Sequence, residues 1–235
     1  MNWNRVELKA RAKGDLSGSY WYAFLVSLLV AITGGSHHWG GGGGSAGGTS
    51  GAGSDEFSLW MGLLILFAVI IALSIRVFIG FAIEVGGRKF FLQLPEGNND
   101  LGYISYGFQR TRYYDIVVTM LLRGIYLILW TLLLIIPGII KMYTYRMVPY
   151  ILADNPNIDH SRAIDLSKQM TMGEKFDIFV LDLSFLGWFL LGALALGIGV
   201  LFVQPYYDAT NAELYFKLRE KALVRGITTP EELNL

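Results

Sequence analysis

Cysteine is absent from all 235 residues, which excludes disulfides, thiol nucleophiles and zinc–thiolate sites and leaves the redox compartment open. Charge is scarce as well. Only 16% of the residues are Asp, Glu, Lys or Arg, and 19 basic side chains are offset by 19 acidic ones, so no global field points to nucleic acid or an acidic substrate. The sequence also lacks a metalloprotease helix, a phosphate-binding glycine loop and a nucleophile elbow. No cofactor or metal is therefore expected, and the chain reads as a non-enzyme. What it has in abundance is apolar side chains. With 53% hydrophobic residues and a mean hydropathy of +0.44 it is too apolar for an ordinary soluble domain and reads as an integral membrane protein.

Six stretches approach the roughly 20 apolar residues that cross a hydrocarbon core. They are 16–33, 57–75, 116–136, 138–153, 176–196 and 198–216, with Pro137-Gly138 and Gly197-Ile198-Gly199 as the breaks between neighbours. A rival reading treats both breaks as kinks and leaves four spans. The basic residues favour six. Placing segments 1–15, 76–115, 154–175 and 217–235 on the inner side puts sixteen of the 19 Lys and Arg there and leaves none in the outer loops. Four spans would instead carry Arg162, Lys168 and Lys175 outward. The first span follows a basic segment, as a signal peptide does, but no Ala-x-Ala site follows Ile32, which argues against cleavage.

The expected fold is thus all-α, a polytopic α-helical transmembrane bundle of six spans with short interfacial helices. An amphipathic cytoplasmic helix (1–15) precedes a transmembrane domain (16–222) and a cytoplasmic tail (223–235), which reads as soluble. The glycine-rich outer loop 34–56 has almost nothing to bury, and its His37-His38 lacks a third ligand for a metal. The segment 159–173 puts Ala163, Ile164, Leu166 and Met170 on one helical face and so reads as an inner interfacial helix, capped by Asp159 and ended by Gly173. Residues 4–13 form a similar basic helix expected to rest on anionic headgroups.

Several ionisable residues fall inside the spans: Arg123, Lys141, Arg146, Asp182 and Asp208. A charge in hydrocarbon is costly enough that it normally has a partner or a task. Converting position to depth at about 1.5 Å per residue places Arg146 roughly 12 Å and Asp208 roughly 15 Å below the outer surface, with Arg123 and Asp182 both at about 20 Å. This predicts the pairs Arg146–Asp208 and Arg123–Asp182. Gln204, Asp208 and Asn211 at i, i+4 and i+7 make one polar stripe beside Pro205, so the candidate polar centre comprises Arg123, Lys141, Arg146, Asp182, Gln204, Asp208 and Asn211. Structural glue is one reading of it, a site for a small solute, lipid or peptide another. An aspartyl hydrolase built on Asp182 and Asp208 is the remote third, because a shared proton needs two carboxyls in contact and their estimated depths differ by about 6 Å.

Leu-Leu-Ile-Ile-Pro-Gly-Ile-Ile-Lys (133–141), Tyr-Arg-Met-Val-Pro-Tyr-Ile-Leu-Ala-Asp-Asn-Pro (145–156), Ala-Ile-Asp-Leu-Ser (163–167), Met-Gly-Glu-Lys (172–175), Leu-Asp-Leu-Ser-Phe-Leu-Gly-Trp (181–188) and Pro-Tyr-Tyr-Asp-Ala-Thr-Asn-Ala-Glu-Leu-Tyr (205–215) resemble the signature segments of a bacterial integral-membrane family catalogued as domain of unknown function 975. The resemblance spans about residues 4–222. It implies a multi-pass bacterial membrane protein and supplies no activity, substrate or cofactor; the expected location is the cytoplasmic membrane, with both termini inside, and the expected partners are membrane lipids. The glycine-rich loop departs from the shorter connection expected there. Two functions remain open: binding or passing a small ligand at the polar centre, or a non-catalytic scaffold or assembly role.

Overall fold

The computed structural model describes residues 3–34, 55–194 and 197–235, so most of loop 34–56, including His37-His38, lies outside the described residues. Among those described there is no strand, and ten α-helices carry the fold. Helix α1 (Arg5–Asp15) starts where the Asn4 side chain accepts a hydrogen bond from the Val6 N–H, and a Glu7–Arg11 pair at 2.7 Å supports its exposed face. Helix α2 (Tyr20–Ile32) leaves it at 107°. Leu8, Ala12 and Leu16 are buried, and α1 lays them against the chain's last helix. That differs from an apolar face turned to lipid.

Helix α3 (Asp55–Ile75) does not stop at Arg76. It runs through one π turn, Arg76–Gly80, into α4 (Phe81–Gln93), so that 37 residues from Trp60 to Glu96 form one continuous helix. A 3-10 helix, Leu101–Phe108, then folds back onto α4 so closely that a Cβ on Gly86 would lie 2.3 Å from the Ile104 carbonyl oxygen, and one on Gly107 2.4 Å from that of Ala82. Only glycine permits that approach.

Helix α5 (Arg110–Leu133) ends at Leu134, whose extended backbone reverses the chain into α6 (Ile135–Thr144). The break is a hairpin. Gly138 of α6 rests on Thr131 of α5, and one helical turn further on Lys141 lies 4.5 Å from the Trp130 ring centroid. The proposed fourth span is not a single helix, however. α6 stops at Thr144, a turn follows, and α7 (Val148–Asp154) continues as a separate, wholly buried piece.

Helix α8 (His160–Met170) is capped by Asp159, whose carboxylate accepts from the Ser161 and Arg162 N–H groups, and Gly173 at φ +82° ends the connection that follows. Its apolar residues Ala163, Ile164, Leu166 and Met170 are buried against α5, α7 and the last helix, so its apolar face meets protein. Helix α9 (Lys175–Leu194) and α10 (Ile198–Val224) form the second hairpin, turned by Gly197 at φ +76°, with Gly192 against Gly199. Residues 226–235 fold back as well. Arg162 binds Glu232 at 2.6 Å and Leu233 is fully buried, so the tail is docked and not free.

Among the described residues three helices are long and apolar enough to cross a membrane: Trp60–Glu96, Thr111–Leu133 and Lys175–Leu194. The bent pair α1 and α2 would make a fourth. The other two expected spans fall short for different reasons: α6 rises only about 15 Å, while α10 is long enough but carries too many polar residues.

Candidate functional site

The polar residues meet where the two hairpins and α4 come together. On α4, Glu84 and Arg88 are four residues apart and so share one face, and both are buried. Glu84 lies between two guanidinium groups, with Arg76 at 2.7 Å and Arg123 of α5 at 3.5 Å. Arg88 donates to Asp208 of α10 at 2.8 Å and lies 5.2 Å from the centroid of the Tyr150 ring. The second oxygen of Asp208 accepts from the Ser27 hydroxyl at 2.7 Å and from Gln204 at 3.1 Å. Arg146, in the turn between α6 and α7, holds Asp182 of α9 in a fork at 2.6 and 2.8 Å. Its Nη2 also donates to the Tyr207 hydroxyl at 2.5 Å and to the Asn211 side-chain Oδ1 at 2.7 Å, while Tyr207 donates onward to Asp182 at 2.9 Å.

Six of the seven residues singled out from the sequence thus line one cavity: Arg123, Arg146, Asp182, Gln204, Asp208 and Asn211. Lys141 does not. It sits between the rings of Trp130 and Tyr145, on the α5–α6 hairpin, where aromatic faces substitute for an anion.

The expected partners are exchanged. Arg146 pairs with Asp182 and not Asp208; Arg123 pairs with Glu84 and not Asp182. The depth ruler failed because α5 ends at residue 133, short of the assumed span end, and α6 already begins at 135. Counted from the observed ends, Arg123, Arg146, Asp182 and Asp208 all lie about 15–18 Å from the hairpin turns. Depth cannot sort partners on a single level. Glu84 and Arg88 were missed because Arg76 read as the end of a span. The available signal was the apolar run on either side of them, Ile79-Gly-Phe-Ala-Ile and Phe90-Phe91-Leu92, with the two charges at helical spacing.

Three guanidinium groups (Arg88, Arg123, Arg146) face three carboxylates (Glu84, Asp182, Asp208) around the cavity, which has a volume of about 50 Å³. Asp182 and Asp208 bind different arginines, whereas a catalytic pair would have to share one proton between them. Among the described residues the buried Nε of Arg88 has no protein acceptor. Among the described residues no three His, Asp or Glu side chains converge as a metal site would need.

Most of this network belongs to the stretch from the α5–α6 hairpin to α10. Residues 131–222 match the family described as Protein of unknown function (DUF975). That segment of the chain is similar to the DUF975 family. No curated protein and no solved structure matches it. Arg146, Asp182, Gln204, Asp208 and Asn211 lie inside the DUF975 segment, whereas Ser27, Glu84, Arg88 and Arg123 reach the centre from the part of the chain before it.

Proposed function

We propose that this chain is a non-enzymatic, multi-pass protein of a bacterial cytoplasmic membrane that serves as a scaffold, with its polar centre acting as an internal lock between helices. The observation that carries the reading is the balanced charge around a cavity of about 50 Å³. At roughly 10–15 Å³ for each water, that space suits a few ordered waters, one of them on Arg88 Nε, and is too small for an organic solute. Buried ion pairs add little net stability compared with apolar packing, but a mispaired charge in hydrocarbon is strongly disfavoured, so such pairs select one helix arrangement. Membrane placement is supported by the three long apolar helices and the clustering of basic residues on one side. Six passes with both termini inside accord with the chain reversing at Leu134 and again at Gly197, α6 and α7 then forming one interrupted pass.

The test is a density map of the detergent-purified protein together with native mass spectrometry. Water-sized features alone between Arg88, Arg146 and Asp208 are expected. A bound organic molecule there would overturn the lock and restore the ligand-binding reading.

A further inference from the structure

A second and larger cavity, of about 280 Å³, lies at the opposite end of the molecule from the hairpin turns. One wall is the end of α10, where Lys217, Lys221 and Arg225 follow at four-residue intervals and so form one stripe. Trp3 and Glu7, at the start of α1, form the other wall, and Val224, 81% exposed, stands at the rim. We propose that this cleft binds the phosphodiester headgroup of an anionic membrane lipid.

The charges favour an anion. Each carboxylate in or beside the cleft already has a cation: Glu7 has Arg11 at 2.7 Å, Glu220 has Lys217 at 3.3 Å, and Glu174 has Lys221. Arg225 is left over, since among the described residues no carboxylate lies within 4.0 Å of it. The excess is one positive charge, and a phosphodiester carries one negative charge. Lys217 and Lys221 each keep further N–H donors beyond the one their partner takes.

The level fits too. At about 1.5 Å per residue, Lys217 lies roughly 28 Å and Arg225 roughly 40 Å along α10 from the α9–α10 turn, which is where a hydrocarbon layer of about 30 Å gives way to headgroups. The Trp3 indole N–H donates to Glu174 Oε2 at 2.9 Å, fixing at that level a ring type that favours the interface. An exposed Val224 beside the basic stripe gives an acyl chain an apolar surface to leave along. The sequence reading had α1 itself resting on headgroups. Its apolar face is buried on α10, and the cleft between the two helices takes over that role. This inference rests on the membrane placement proposed above and is independent of the scaffold role.

Native mass spectrometry of the full chain in detergent, titrated with phosphatidylglycerol or phosphatidylcholine, tests it. The wild type should retain phosphatidylglycerol at least tenfold more tightly than phosphatidylcholine. Arg225→Glu should weaken that retention about thirtyfold and the milder Arg225→Gln about fivefold, with unchanged thermal unfolding, whereas Lys168→Glu on α8 should leave it unaltered. Equal retention of the two lipids, wild-type retention by both Arg225 variants, or displacement of the lipid by millimolar inorganic phosphate would each overturn the headgroup site. A chain that remains in solution without detergent would overturn the membrane placement along with it.

Discussion

The end of the molecule nearest the hairpin turns and the end nearest the termini bury their apolar residues in opposite ways. Every residue from 60 to 75 on α3 is exposed, and so are Leu132 and Leu194, at 83% and 82%, beside the two turns. Towards the termini, α7 is entirely buried, Leu152 and Leu166 are 0% exposed, and Tyr150 stacks on Tyr215 with ring centroids 5.4 Å apart. One tier is built to be solvated by something apolar; the other makes its own core. The polar centre lies between them, on the level where the exposed apolar surfaces of α5 and α9 give way to packed interior. A charge there has neither bulk water nor hydrocarbon as its alternative, which is why Arg88, Arg123 and Arg146 each bear on a carboxylate from another helix.

The largest effect is expected from breaking that boundary layer. Asp208→Ala removes the acceptor for Arg88, Ser27 and Gln204 at once and leaves a buried guanidinium uncompensated, for an expected loss of about 3–5 kcal/mol, read as thermal unfolding in detergent. Combining Arg88→Met with Asp208→Leu should recover most of it. If the double variant stays as unstable as the single one, Asp208 does more than neutralise Arg88.

The two tiers were not equally legible in the sequence. Near the turns, apolar run length and the breaks at Pro137-Gly138 and Gly197-Ile-Gly199 were enough to show two hairpins, but the first was placed a few residues late: the chain reverses at Leu134, and Pro137-Gly138 already lie in the first turns of α6. The stripe Gln204, Asp208 and Asn211 was also legible, since helical spacing alone puts it on one face. Which arginine meets which carboxylate was not, because pairing depends on lateral helix order, which no one-dimensional ruler contains. Towards the termini, amphipathic α1 and α8 read as lying in the interface. An apolar stripe looks the same whether it faces lipid or protein, and Ala163, Leu166 and Met170 turned out to face protein. The tail gave no signal at all. Its docking depends on Arg162, 70 residues away from Glu232 in the chain.

That docking gives a smaller, pH-dependent effect confined to the terminal tier. Glu232 accepts two hydrogen bonds from Arg162 and one from Thr228, and the Arg162 bonds chiefly hold its carboxyl below the usual glutamate range. A depressed folded-state value means the contribution is complete above the unfolded carboxyl value near 4.5 and is lost as pH falls through the lower folded one. Hydrogen exchange of residues 226–235 should therefore stay slow from neutral pH to about 4.5, after allowance for the intrinsic rate. It should then accelerate below that. Glu232→Gln should loosen the tail at neutral pH by no more than about 1 kcal/mol, the range of a partly exposed pair, while leaving α3 unchanged. Uniform protection across the pH range would mean that Leu233, and not the ion pair, holds the tail.

The smallest effect is expected where burial is least. Leu64, 63% exposed on α3, has little packing against the other described residues to lose, since among them α3 packs mainly against the π turn that continues it. Leu64→Ala should therefore shift stability in detergent by less than about 0.5 kcal/mol. Leu152→Ala, at 0% exposure, should cost about 2–5 kcal/mol through lost contacts and a cavity. The contrast decides what surrounds α3. Lipid or detergent closes around a shortened side chain at little cost, whereas a partner helix with a shaped surface leaves a void. A loss from Leu64→Ala approaching that of Leu152→Ala would mean that α3 is packed in a second protein surface, which would make it the point of attachment for whatever the scaffold holds.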